Sequence, residues 1–182
     1  MELAYDQVMK SWTRNLLGFF SNIFRRIVLG SFKAKEIKKI YNYHKVPNLF
    51  ETSGQPGKQQ LKLLAERGYE VVINLAPSSL LEGAVINEAE ILNSEQVKYI
   101  HIPVDFSNPT DEDFAEFVSN IQKHKNKKLW VHCAANMRVS AFVYKYRRDV
   151  LKLPHDEIIG DMEAIWTPIK IWKSFLDSKS EF

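Results

Sequence analysis

At 182 residues, with 45% hydrophobic and 26% charged side chains, the chain has ordinary globular composition and is long enough for one domain with an adequate core. A single cysteine excludes an internal disulfide and fits a reducing compartment, so a cytoplasmic location is expected. The net charge of +3 is unevenly spread: residues 1–47 hold nine Lys or Arg against three Asp or Glu, and the remainder is mildly acidic.

In the basic segment Leu16, Leu17, Phe19, Phe20, Ile23, Phe24, Ile27 and Val28 recur with a helical period, leaving Ser21, Asn22, Arg25 and Arg26 on a narrow polar face. This predicts an amphipathic helix. Its uncharged run, residues 15–24, is ten residues long, against about 20 needed to span a bilayer. Glu2 and Asp6 spoil the basic start of a secretory signal. Residues 12–30 are therefore expected to make a peripheral contact. One option is a membrane surface, with Arg14, Arg25, Arg26, Lys33 and Lys35 near anionic headgroups; the other is the chain's own domain or a partner subunit. The organisation expected is a basic helical extension over 1–40 and a domain over 41–182.

Residues 35–43 are charged and weakly helical, and 49–53 read as a short strand closed by the turn Gly54-Gln55-Pro56-Gly57. Leu61, Leu64 and Ala65 mark a helix ended by Gly68. Residues 70–75 are apolar at consecutive positions, as in a strand buried on both faces, and Asn74 is the polar exception. A helix over about 84–93 and a strand over 98–104 follow. Thr110, with Asp113 three residues on, predicts the capped start of a helix running to about 125 through Phe114, Phe117, Val118 and Ile121. After Pro154 two helices are expected, divided near Trp166-Thr167-Pro168, with Trp172 and Phe175 as core anchors. Strands alternating with helices at these spacings predict an α/β fold: a single domain with a central, mostly parallel sheet flanked by helices, and ligands at the carboxyl ends of the strands.

Residues 128–142 read K-L-W-V-H-C-A-A-N-M-R-V-S-A-F. The apolar run Leu129, Trp130, Val131 predicts a strand, with a small and polar loop after Cys133 and a helix opened by Ser140. A helix N-terminus presents unpaired N–H groups and the positive end of its dipole, and so favours an anion. A free thiol has a pKa of about 8.5, brought to roughly 3.5–7.5 in such settings. Asn136, within that loop, is one of the few non-glycine residues that tolerate a left-handed conformation. The five histidines, His44, His101, His124, His132 and His155, are scattered without metal-ligand spacing. No groove-reading or base-stacking motif accompanies the basic residues, so nucleic acid is not expected as a partner.

The stretch resembles the signature of the cysteine-dependent protein phosphatases: H-C, five variable residues, Arg, then Ser or Thr. More narrowly, the chain is similar to a bacterial dual-specificity-phosphatase-like family that also occurs fused ahead of a β-lactamase-fold hydrolase. Thr52-Ser53-Gly54-Gln55-Pro56 and Val72-Ile73-Asn74-Leu75 fit as well, and the resemblance covers about residues 41–177. In an ungapped alignment Val139 falls on the signature arginine, and Arg138 sits one place early.

The resemblance implies a protein-tyrosine-phosphatase-like fold, a phosphorylated protein or small phosphomonoester as substrate, and neither metal nor cofactor. It implies Cys133 as nucleophile, His132 as orienter of the loop, and a phosphate cradle formed by Ala134, Ala135, Asn136, Met137, Arg138 and Val139. Ser140 would hydrogen-bond the sulfur. Asp105, 28 residues before Cys133, would protonate the leaving oxygen, with Asp111 as second choice. Arg138 either turns inward on a loop one residue tighter and serves as the clamp, or points outward. The second outcome would leave a pseudophosphatase that holds phosphorylated partners. Persulfide chemistry of the rhodanese kind is a third reading of a lone cysteine placed after a strand.

Overall fold

The computed structural model describes residues 36–78 and 87–178. The amphipathic helix expected within 1–40 lies outside them, as does the first part of the helix expected from 84.

Five strands form one sheet in the order β1-β2-β5-β3-β4: β1 (His44–Lys45), β2 (Glu51–Ser53), β3 (Val71–Asn74), β4 (Lys98–His101) and β5 (Leu129–His132). β1 runs antiparallel to β2, and the remaining pairs are parallel. The sequence pattern does not predict β1, because two residues are too few to carry a period; the preceding charged stretch forms only a short 3-10 turn, Ile37–Lys39. The central strands β3 and β5 are buried at every position, which is why they read as continuous apolar runs.

Alternation along those strands sorts side chains to the two faces. Val71, Ile73, Leu129 and Val131 join one core cluster, while Val72 and Trp130 join the other. The larger cluster is closed by α3 (Asp111–Lys123), α4 (Met137–Asp149), α5 (His155–Glu163) and α6 (Ile171–Asp177). α1 (Lys58–Glu66) and α2 (Glu88–Ser94) supply Leu61, Leu64 and Leu92 to the smaller one. The expected α/β fold is thus observed, with helices on both faces of a mostly parallel sheet.

Local chemistry sets the helix ends. Thr110 Oγ1 accepts from Asp113 N–H at 3.1 Å and the Asp113 carboxylate accepts from Thr110 N–H at 3.2 Å, the reciprocal cap expected of that spacing. Gly68, at φ 76°, ends the turn after α1. At the end of α6 the cations Lys145 and Arg148, both from α4, bind the last carbonyls: Lys145 Nζ donates to Ser178 O at 2.6 Å, and Arg148 donates to Leu176 O. α4 is the helix around which the larger cluster is built. Phe142 at its centre meets Phe114, Phe117 and Phe175 at ring-centroid distances of 5.6, 5.6 and 5.4 Å.

Phe142→Ala should therefore cost about 3–5 kcal/mol. At about 2–4 °C per kcal/mol for a domain of this size, the melting temperature should fall by roughly ten degrees in a thermal unfolding experiment.

Candidate active site

Parallel register brings the ends of three strands together. Ser53 and Asn74 both pair with His132, so the carboxyl ends of β2 and β3 flank the residue that precedes Cys133. From there the chain turns into α4 within a few residues. The helix opens at Met137 and not, as expected, at Ser140, because Asn136 takes the left-handed conformation (φ 66°, ψ 3°) and redirects the backbone at once. The loop is correspondingly short, and Cys133 is a buried free thiol at its base.

The loop's carbonyls are tied back into the fold. Ala134 O accepts from Gln55 N–H at 3.1 Å, Ala135 O from the Asn42 side chain at 2.9 Å and Asn136 O from Ser140 N–H at 3.0 Å. Asn136 Nδ2 returns the bond to Asn42 O at 2.7 Å and also reaches Thr52 Oγ1 at 2.9 Å. This Asn42–Asn136 exchange fixes the left-handed residue from both sides. Gly54 is required behind the loop: a Cβ there would lie 2.9 Å from Ala134 O and 3.0 Å from Tyr41 O, both backbone atoms. With the carbonyls held away, the first N–H groups of α4 have no acceptor within their own helix, an arrangement that suits an anion.

The early helix start decides where Arg138 and Val139 go. Successive helical residues point about 100° apart, so only one of the two can face the loop. Val139 is fully buried in the larger core cluster. Arg138 is also buried, with its guanidinium carbon 5.1 Å from the centre of the Phe106 ring. Any part Val139 plays in an anion cradle is therefore limited to its backbone.

Phe106 links this arginine to the segment carrying Asp105. Its ring meets Trp166 and Trp172 at 5.8 and 5.4 Å, and its carbonyl accepts from Trp172 Nε1 at 2.8 Å. Asp105 is exposed, and its Oδ1 accepts from both the amide and the hydroxyl of Ser107 at 2.8 Å. Those two bonds, with the charge of Arg138 added, hold the Asp105 carboxyl below the ordinary range. Asp111 is the first residue of α3, where a carboxylate complements the helix dipole.

Ser140 lies in the first turns of α4. Its hydroxyl donates to Met137 O at 3.0 Å and accepts from Trp166 Nε1 at 3.1 Å. That bond takes the hydroxyl's one proton in this conformation.

His132 is fully buried, with Nε2 2.9 Å from Glu88 Oε1. Glu88 opens α2, is itself buried, and accepts from Asn74 Nδ2 at 3.0 Å and Tyr99 OH at 3.3 Å. Sequence reading missed Glu88, Phe106 and Trp166. Asn74, polar within an otherwise apolar buried strand, was the one visible sign of this polar cluster.

A family model described as DSP-PTPase phosphatase fused to NAD+ Kinase matches residues 30–164. Among solved structures, a candidate phosphatase (DUF442) from Shewanella putrefaciens CN-32 is 34% identical, with 80% of this chain and 95% of that one covered at a TM-score of 0.68. Two more distant structures share the fold. The core catalytic domain of the PP-IP phosphatase SIW14 from S. cerevisiae is 14% identical, covering 78% and 86% at a TM-score of 0.64. A cysteine-to-serine variant of TpbA from P. aeruginosa, in complex with pTyr, is 16% identical, covering 67% and 72% at a TM-score of 0.54. No curated protein matches the chain. A thiol between β5 and α4 and a family match over most of the described domain thus agree, and the chain belongs to the DSP-PTPase family described as fused to NAD+ kinase, hydrolases of the cysteine-dependent phosphatase superfamily.

Proposed function

We propose that the chain hydrolyses phosphate monoesters through a phosphocysteine on Cys133, with Arg138 in place of the displaced signature arginine. The observation that carries this reading is the burial of Arg138 against Phe106, next to Asp105, while Val139 is committed to the core. The Cys133 thiolate attacks phosphorus, the bond to the leaving oxygen breaks, and Asp105 gives that oxygen its proton. Water then hydrolyses the phosphocysteine, with Asp105 taking up its proton. The N–H groups at the start of α4 and the Arg138 guanidinium hold the non-bridging oxygens as charge moves onto them. Because the TpbA variant is solved with pTyr, phosphotyrosine peptides are the first substrates to try after small aryl phosphates.

A second reading has one observation in its favour. A carboxylate stabilised by Ser107 is a poor proton donor at neutral pH, as suits a module that holds a phosphorylated ligand without turning it over. Turnover separates the two readings. Cys133→Ser should abolish hydrolysis of an aryl phosphate, and Arg138→Ala should lower kcat/KM by about 10²–10⁵. Phosphate binding by the wild type without turnover would favour the second reading. Val139→Arg is not a usable gain-of-function test, since it would place a guanidinium in the core.

The acid should be visible in the pH profile. Asp105 works only when protonated and its carboxyl is held low, so turnover should decline as pH rises through that low value. Ser107→Ala removes the hydroxyl bond to the carboxylate while the backbone amide bond of residue 107 remains, raises its pKa, and should move the falling limb of kcat to higher pH. An unmoved limb would remove Asp105 from the acid role. Gly54→Ala should lower activity far more than stability, because the added methyl displaces the Ala134 carbonyl and with it the loop; kinetics beside a melting curve checks this.

A further inference from the structure

Charge is divided between the two ends of the sheet. The carboxyl end carries the thiol and, after β4, the exposed acids Asp105, Asp111 and Glu112. The amino end is basic: Lys45, Arg67, Lys98, Lys125, Lys127 and Lys128 are all exposed there. Strand pairing fixes their common placement. Lys45 lies opposite Glu51, the first residue of β2, and Val71, the first of β3, lies opposite both Lys98 and Leu129. Arg67 and Lys128 meet just before these starts, where Lys128 Nζ donates to Arg67 O at 2.7 Å. Lys45 is on one edge strand and Lys98 on the other, four strand spacings or roughly 19 Å away. Glu51, Glu66, Glu70 and Glu95 at this end leave the cations in excess. Two of them are already engaged: Glu70 accepts from Lys127 Nζ at 2.7 Å and Lys128 N–H at 3.2 Å, and Glu51 accepts from Tyr69 OH.

The excess is felt inside the fold. His124, which follows α3, is held below the ordinary histidine range by burial and then by the charges of Lys98, Lys123 and Lys127. The described residues also begin at this end: Glu36, Ile37 and Lys38 line a cleft of about 240 Å³ together with Arg67, Tyr69 and Lys128. The preceding residues therefore join the domain on its basic side, and their sequence sets the apolar period of 16–28 among Arg14, Arg25, Arg26, Lys33 and Lys35. Cations alone suit any polyanion. Cations beside an apolar period suit an anionic bilayer, which offers a charged surface with hydrocarbon beneath it. We propose that residues 12–30 and the basic end of the sheet form one surface that docks on an anionic membrane, with the Cys133 loop turned away from the lipid. The bilayer attracts the basic end and repels the acidic rim after β4, so the two ends of the molecule enforce one orientation.

The docking does not depend on the phosphatase reading, and co-sedimentation of the full chain with lipid vesicles tests it. The chain should pellet with vesicles of phosphatidylcholine and phosphatidylserine, far less with phosphatidylcholine alone, and less as salt rises from roughly 0.1 to 1 M. Equal pelleting with both vesicles, or none with the anionic ones, overturns the proposal. So does retention on heparin without vesicle binding, which would give the basic end to another polyanion. Lys45→Gln, Lys98→Gln and Lys125→Gln, all at exposed positions, should each weaken the partition about fivefold. If the three together change nothing, the sheet end is not part of the surface; if Phe20→Glu with Phe24→Glu changes nothing, residues 12–30 are not. Lysine acetylation of the bound wild type, read by mass spectrometry, reports the orientation without any variant. It should slow at Lys45, Lys98 and Lys125 and proceed as in free protein at Lys58, the exposed first residue of α1 at the active-site end. Equal protection of Lys58 would refute the orientation.

Discussion

The left-handed turn at Asn136 is the constraint on which the site depends. Strand β5 ends at His132 and α4 starts at Met137, so the chain has four residues in which to reverse from extended to helical backbone and still present N–H groups inward. A positive φ at one residue does this without a longer loop. The price is strain that only Gly, Asn or Asp bear easily, and the fold meets it with bonds from Asn42 and Thr52 to the same side chain. Asn42 is itself at φ 49°, so two left-handed asparagines support each other across the loop.

That turn also fixes the register of α4, and through it the division of labour between Arg138 and Val139. One face of the helix is bound to the larger core through Val139, Phe142, Val143 and Tyr146. A helix with that much buried surface cannot rotate to suit its first turn. The first turn has to follow that register, which puts Val139 in the core and Arg138 against Phe106. The aromatic group of Phe106, Trp166 and Trp172 then ties three parts of the site to one another: Phe106 follows Asp105, Trp166 holds Ser140, and Trp172 holds the Phe106 carbonyl.

Much of the frame was legible because it is written in periodic signals. The continuous apolar runs of β3 and β5, the Thr110–Asp113 cap and the 3.6-residue spacing of α3 all survive in the structure with boundaries moved by a residue or two. Single-residue chemistry was legible at Asn136 as well, since few side chains suit that conformation. What could not be read was long-range. Glu88 meets His132 across 44 residues of chain, and an acidic residue at the start of a short helix has an ordinary local explanation. The start of α4 was misjudged because Met137 and Arg138 are as good in a helix as in a loop, and only the bonds to Asn136 decide between them.

The solitary, buried cysteine has a consequence for endurance under oxidants. A thiolate is the form that peroxide attacks, giving a sulfenic acid that is normally rescued by a neighbouring thiol. This chain has no second sulfhydryl to offer, so restoration depends on a small reductant reaching a sulfur that is 1% exposed. The narrowness that shelters the sulfur from bulky reagents also slows its repair. Loss of function under oxidative stress would then track the supply of small thiols in the surroundings.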